Sequence, residues 1–165
     1  MTSSGPADAT WYFAYGSNMH RGIFYERRGM RPLAVRRAWL DDHRVCFDLP
    51  IGPGERGCAN LAAEAGARTH GVLYLLTPEQ LEHLDRTEGV PNGVYRRVAV
   101  EVVVEDGERV AAFTYRSSWS RAGRKPSARY LGLLVDGARE AGLPADYLTF
   151  LESHELAVDE REPPR

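Results

Sequence analysis

Residues 94–106 read VYRRVAVEVVVED. Val98, Val100, Val102 and Val104 recur at every second position, which puts them on one face of an extended strand and on no single face of a helix. Asp106-Gly107 follows as a tight hairpin turn, and RVAAFTYRS (109–117) returns beside the first strand. A lone hairpin cannot cover its own apolar face, so the rest of the chain must supply further strands or a helix.

Trp11 to Tyr15 reads as a short, mostly buried strand. Residues 34–48 (AVRRAWLDDHRVCFD) carry strand-like apolar positions around the polar pair Asp41-Asp42. LPIGPGERG (49–57) is a Pro/Gly loop, and CANLAA (58–63) and HGVLYLL (70–76) read as two more strands. Helices are signalled by their ends. Thr77-Pro78-Glu79-Gln80 is a capping box with proline at the first helical position; Leu81 and Leu84 follow, and the helix is expected to end near Gly89. Ser127 caps a longer helix whose apolar positions 130, 131, 134, 135 and 138 form one stripe, closed by Gly142 and Pro144. ADYLTFLESHEL (145–156) reads as a last helix. Strands, then a helix before a hairpin, then helices: the order predicts an α+β domain rather than a repeating βαβ array. One domain over residues 10–158 is expected, with 1–9 (MTSSGPADA) and 159–165 (DEREPPR) as flexible tails.

A formal charge of −2 argues against a surface that binds phosphate backbones or membranes as a whole. No stretch is apolar enough to span a bilayer, and the first residues lack a basic-then-apolar signal pattern, so a soluble cytoplasmic protein is expected. Cys46 and Cys58 form neither a disulfide scaffold nor a CxxC pair and read as small buried thiols. Histidines 20, 43, 70, 83 and 154 have no ligand spacing, so no zinc site is expected.

Two places carry candidate chemistry. In YFAYGSNM (12–19) an aromatic, apolar run stops at Gly16-Ser17-Asn18. Gly16 permits backbone angles closed to other residues, and Ser17 and Asn18 favour turns. Such a turn can gather backbone N–H groups into a nest for an oxyanion or carboxylate; an ordinary turn is the plainer reading. Glu88 lies between a helix end and a strand, where desolvation would raise its pKa and make it a better base; a solvated surface glutamate is the plainer reading. Asp85, one turn earlier, competes for the role. SRAGRKP (120–126), beside Trp119, is a basic loop that reads as solvated surface or as an attractor of anionic substrate.

Three segments in order, YFAYGSNM, LDRTEGVPNGVY and PSARYLGLLVDGAREAGLPADYL, resemble the γ-glutamylcyclotransferase family over nearly the whole chain between the tails. The resemblance implies a small mixed β-barrel with flanking helices and a cavity at its mouth. It implies an enzyme that turns a γ-glutamyl amine or amino acid into 5-oxoproline and the free amine, a cyclisation of the amidine-lyase or acyltransferase type that calls for no metal and no organic cofactor. By the same resemblance Tyr12, Phe13, Ala14, Tyr15, Gly16, Ser17 and Asn18 belong to the substrate loop, Glu88 is the acid/base carboxylate, and Tyr130 closes the pocket. Asn18-Met19 looks like the γ-glutamyl-amino-acid branch, with removal of a γ-glutamyl protecting group in antibiotic synthesis as a second reading. The rival from another class is a non-catalytic small-molecule binding module on the same fold. Nucleic-acid binding through Arg121, Arg124 and Lys125 is disfavoured by the net charge. The leaving amine stays open: the basic loop opposes a polycation unless Asp41-Asp42 and Glu152 line the mouth. Trp39, Trp119 and Tyr147 read as core or interface, which leaves a homodimer open.

Overall fold

A computed structural model describes residues 7–158. Five strands close into a barrel in the order β1 (Thr10–Ala14), β3 (Cys58–Leu76), β2 (Ala34–Leu49), β4 (Arg96–Val104), β5 (Arg109–Arg116). The barrel is mixed: β5 meets β1 in parallel at Tyr12 and Phe113, and every other pairing is antiparallel. Closure leaves no free edge and supplies the cover that the valine hairpin requires. Val102 and Val104 are buried and Val98 and Val100 half-buried along one face of β4, as the alternation predicted. The helices α1 (Pro78–Thr87), α2 (Ala128–Glu140) and α3 (Ala145–Glu152) flank the barrel.

CANLAA and HGVLYLL are not two strands but the ends of one. β3 runs unbroken for 19 residues because β2 pairs with it along nearly its whole length. The exposed middle of β3 sits opposite the polar pair of β2. There Asp42 takes a positive φ of 60° and its Oδ1 accepts the Gly66 N–H, absorbing the register shift as a bulge. The segment that sequence left blank, residues 20–30, folds as a π-type helical turn, Gly22–Arg27, with the Arg28 N–H on the Ile23 carbonyl. Phe24 anchors it, its ring 4.0 Å from that of Tyr74 and 6.1 Å from that of Tyr12.

The capping box at Thr77 and Gln80 forms in both directions, and Gly89 stops α1 at φ 68°, a left-handed conformation that glycine adopts without a steric penalty. Ser127 caps α2 through the Tyr130 N–H. α3 is shorter than predicted, eight residues, and its Tyr147 is buried while Trp39 is half-buried. Trp119 is exposed and outside the core. Of the expected tails, only Ala7, Asp8 and Ala9 fall within the described residues, leading into β1 with Ala7 and Asp8 exposed. Among the described residues no helix is long and apolar enough to cross a membrane.

Candidate active site

β1 delivers its C-terminal end to the barrel mouth, and the chain turns at once into a short 3₁₀ turn, Ser17–Met19. α2 pins that turn from behind. Gly137 packs so closely that a Cβ there would lie 2.8 Å from the Met19 carbonyl carbon and the His20 nitrogen. Glycine is needed at 137 for approach, not for its dihedral angles. Gly16 has a different role from the one expected. Its φ is −111°, so no left-handed backbone is involved. A Cβ there would instead stand 3.4 Å from the Ala59 Cβ and 3.6 Å from the Tyr130 hydroxyl, inside the mouth of a cavity.

That cavity, about 40 Å³, is lined by Gly16, Ser17, Asn18, Ala59 and Glu88 together with five tyrosines: 12, 15, 95, 115 and 130. Of the predicted site residues, Tyr12, Tyr15, Gly16, Ser17, Asn18, Glu88 and Tyr130 therefore meet around one space. Phe13 and Ala14 do not. Both are fully buried in the barrel core: alternation turns Phe13 to the face of β1 opposite Tyr12, while Ala14 shares the Tyr12 face but is buried and does not line the cavity.

Glu88 caps the C-terminal end of α1, and its side chain is 13% exposed. Its Oε1 accepts a hydrogen bond from Asn18 Nδ2 at 2.8 Å. The same Asn18 amide nitrogen donates to the Tyr12 hydroxyl at 2.9 Å, while Asn18 Oδ1 accepts from Arg28 Nε at 2.7 Å. An Arg28 η nitrogen stands 4.0 Å from Glu88 Oε2. Burial raises the Glu88 pKa above its ordinary value; the Arg28 charge and the Asn18 hydrogen bond pull it part of the way back. Burial also pushes the Tyr12, Tyr15, Tyr95, Tyr115 and Tyr130 phenols up, so all five stay protonated near neutrality.

Those phenols hold the walls. Tyr95 donates to the Ala59 carbonyl, and the Ala59 N–H donates to the Tyr130 oxygen at 3.0 Å, so residue 59 is fixed from both sides. Tyr15 donates to the Tyr115 carbonyl and Tyr115 to Asp85. Asp85 is thereby removed from contention as the base: it accepts Tyr115 at 2.6 Å and a two-pronged Arg97 at 2.9 and 2.7 Å, and it does not line the cavity. Tyr12 and Tyr130 differ from the others, each accepting an amide N–H on its oxygen and keeping its own O–H proton for another acceptor.

Arg28, Ala59, Tyr95 and Tyr115 were not identified from sequence. Tyr115 follows Phe113 on alternate β5 positions, and the basic pair before Gly29 in RRGM is a helix-end signal that could have exposed the 20–30 turn. Neither Asp41, Asp42 nor Glu152 lines the cavity. Asp41 pairs with Arg68, Asp42 holds Gly66, and Glu152 is exposed on α3. The basic loop lies elsewhere too: Lys125 faces Glu55 and Glu155, and Arg124 donates to the Arg56 carbonyl. Cys46 and Cys58 are unpaired thiols whose pKa burial pushes up to about 11. Among the described residues no group of three His, Cys, Asp or Glu is placed to hold a metal ion.

Residues 68–151 match the sequence model of the AIG2-like family. A γ-glutamylcyclotransferase from Bos taurus is 32% identical over 151 residues, which are 87% of this chain and 78% of that protein. The γ-glutamyl cyclotransferase gliK of Claviceps purpurea (strain 20.1) is 35% identical over 141 residues, 78% of this chain and 63% of that protein, so the chain spans less than two thirds of that relative's length. A solved γ-glutamyl cyclotransferase superposes with a TM-score of 0.84 at 25% identity, over 93% of this chain and 92% of the other.

Proposed function

This chain belongs to the γ-glutamylcyclotransferase family, a family of enzymes, and on that premise we propose that it cyclises a γ-glutamyl amine or amino acid to 5-oxoproline, with Glu88 carrying the proton. The observation that carries the reading is the Glu88 carboxylate on the cavity wall, desolvated yet held by Asn18 and faced by Arg28.

The reaction is an internal aminolysis. The α-amine of the substrate attacks its own γ-carbonyl carbon, a C–N bond closes the five-membered ring, and the original amide C–N bond breaks. No water is consumed and no external nucleophile is needed. The first task is to hold the folded rotamer, for which a tight cavity with fixed walls is suited. The second is proton traffic. The amine is an ammonium near neutrality; Glu88 takes a proton from it and returns one to the departing nitrogen. A carboxylate with a raised pKa is better matched to both halves than one at its ordinary value. The third task is charge. The tetrahedral intermediate carries an oxyanion, and the O–H protons of Tyr12 and Tyr130 and the backbone of Gly16 and Ser17 border the space it would occupy.

A binding module that kept the fold without the chemistry would have no use for an ionisable carboxylate desolvated on the cavity wall, so the enzyme reading is favoured. Two unpaired thiols suit a reducing cytoplasm.

The test is incubation with γ-glutamyl-alanine and detection of 5-oxoproline by mass. Glu88→Gln keeps the shape and removes the base, and turnover should fall by at least about 10²-fold. The pKa of Glu88 is raised by folding, so its ionised form weakens the folded state above the ordinary carboxylate pKa. The glutamine variant should therefore melt no lower than the parent at pH 7. Full activity in that variant would move the base elsewhere.

A further inference from the structure

The five phenols around the small cavity are not equivalent, because each hydroxyl has one proton to give. Tyr15 gives its proton to the Tyr115 carbonyl, Tyr95 to the Ala59 carbonyl and Tyr115 to Asp85. A phenol whose proton is committed to a protein acceptor can offer the cavity lone pairs only. Tyr12 and Tyr130 accept amide N–H groups and keep their protons. The wall therefore has an acceptor side, Tyr15, Tyr95 and Tyr115 with the Glu88 carboxylate, and a donor side, Tyr12 and Tyr130.

Tyr115 differs from the other two acceptor phenols. Its own proton goes to a charged group, and O–H···O⁻ bonds of that kind are the strong ones. Asp85 is in turn gripped by both prongs of Arg97, at 2.9 and 2.7 Å. Polarisation along Arg97, Asp85 and Tyr115 makes the phenol oxygen a better acceptor than that of an isolated tyrosine. The residue is fixed at both ends, its carbonyl by Tyr15 and its hydroxyl by Asp85 at 2.6 Å, and its ring stands 5.4 Å from that of Tyr12 and 6.3 Å from that of Tyr95. Size and charge define what belongs beside it. The cavity, about 40 Å³, holds a group the size of a water molecule or a little more. A larger space of about 500 Å³ adjoins it and shares Ser17 and Tyr130, so the remainder of a ligand extends over that rim. Among the described residues the small cavity has one charged side chain in its lining, Glu88; neither Arg28 nor Arg97 lines it. On the acceptor side, an ammonium group meets a carboxylate, phenol oxygens that can only accept, and aromatic rings whose faces attract positive charge.

Resting on the cyclotransferase reading, we infer that Tyr115 is a substrate-binding residue that accepts an N–H of the α-amine, and that Asp85 positions it by taking the phenolic proton. Glu88 removes one proton from the ammonium. Tyr115 takes none; it holds a remaining N–H, which leaves the nitrogen lone pair free to face the γ-carbonyl carbon. Without Asp85 the Tyr115 proton can turn to Glu88 and compete with the ammonium for it.

The experiment compares γ-glutamyl-alanine as substrate with glutaryl-alanine, which lacks only the α-amine, as inhibitor. Tyr115→Phe keeps the ring and removes the acceptor. It should lower kcat/KM for γ-glutamyl-alanine about tenfold and leave the Ki of glutaryl-alanine unchanged. Asp85→Ala should lose as much. Asp85→Asn, which still offers Tyr115 an acceptor oxygen, should recover most of the loss, and the Tyr115→Phe/Asp85→Ala double variant should lose no more than either single one. An equal loss on both ligands would mark a purely structural role. That result, no loss at all, or a double variant in which the two effects multiply, overturns the inference while leaving cyclisation intact. If the parent yields no 5-oxoproline, the cyclotransferase reading fails, and calorimetry of both ligands with the parent and Tyr115→Phe still decides Tyr115: a preference for the amine-bearing ligand that is lost with the hydroxyl supports it, equal or absent binding overturns it.

Discussion

The two spaces that meet at Ser17 and Tyr130 are built on opposite principles. The small cavity is walled by neutral phenols and holds one desolvated carboxylate, its position set by hydrogen bonds of 2.7–2.9 Å among Glu88, Asn18, Arg28 and Tyr12. The larger space, a chamber of about 500 Å³, is lined among the described residues by Arg27, Arg28, Arg56 and Arg129, and Arg27 and Arg129 are exposed to solvent. In the first, a displaced group loses its partners in a poorly solvated place, so geometry dominates. In the second, water and salt soften every interaction, so the sum of charges matters more than the place of each one. A reaction that needs a fixed proton path and a leaving group of some size fits this division.

The contrast is most exposed to failure at Asn18. Its side chain joins the carboxylate, a phenol and a guanidinium. Asn18→Ala should lower kcat by about 10²-fold through misplacement of Glu88, against the few-fold effect expected of a chamber arginine. Steady-state kinetics on γ-glutamyl-alanine measures it; a kcat within a few-fold of the parent would mean that the cavity is as tolerant as the chamber. A smaller effect is expected one layer back. Gly137→Ala drives a Cβ into the backbone of Met19 and His20, so the site turn must shift. Urea unfolding should register a loss of about 1–3 kcal/mol from overpacking, with turnover falling in the protein that remains folded. Unchanged stability and turnover would show that the turn is not held from behind.

How much of this could be read from the chain depends on whether a signal is local. The valine alternation, the Thr77 capping box, the Ser127 cap and the Gly89 stop are local chemistry, and each appears where the sequence put it. The continuity of β3 was hidden because its exposed middle looks like a loop until β2 is laid beside it. The helical turn at 22–27 was hidden for a similar reason: Phe24 and Met30 bury against partners distant in sequence, and no cap marks the start. At the site, motif resemblance brought out Glu88, Asn18 and Tyr130. It also took in Phe13 and Ala14, which a motif cannot distinguish from their neighbours: strand alternation turns Phe13 to the other face, and Ala14, on the Tyr12 face, is buried and does not line the cavity. Arg28 and the chamber arginines come from segments that meet only in the fold, so no spacing in the sequence joins them.

In the proposed reaction Glu88 is the group whose titration governs the chemistry. NMR titration of its side-chain carboxyl carbon, assigned by difference from Glu88→Gln, can be set beside the pH dependence of kcat/KM. The two midpoints should coincide above the ordinary value of 4.5, and both should rise in Arg28→Gln, because the guanidinium favours the ionised form and its removal leaves burial less opposed. A carboxyl that titrates at or below 4.5, or an acid limb that stays in place while the carboxyl midpoint moves, would contradict the assignment of Glu88 as the proton carrier.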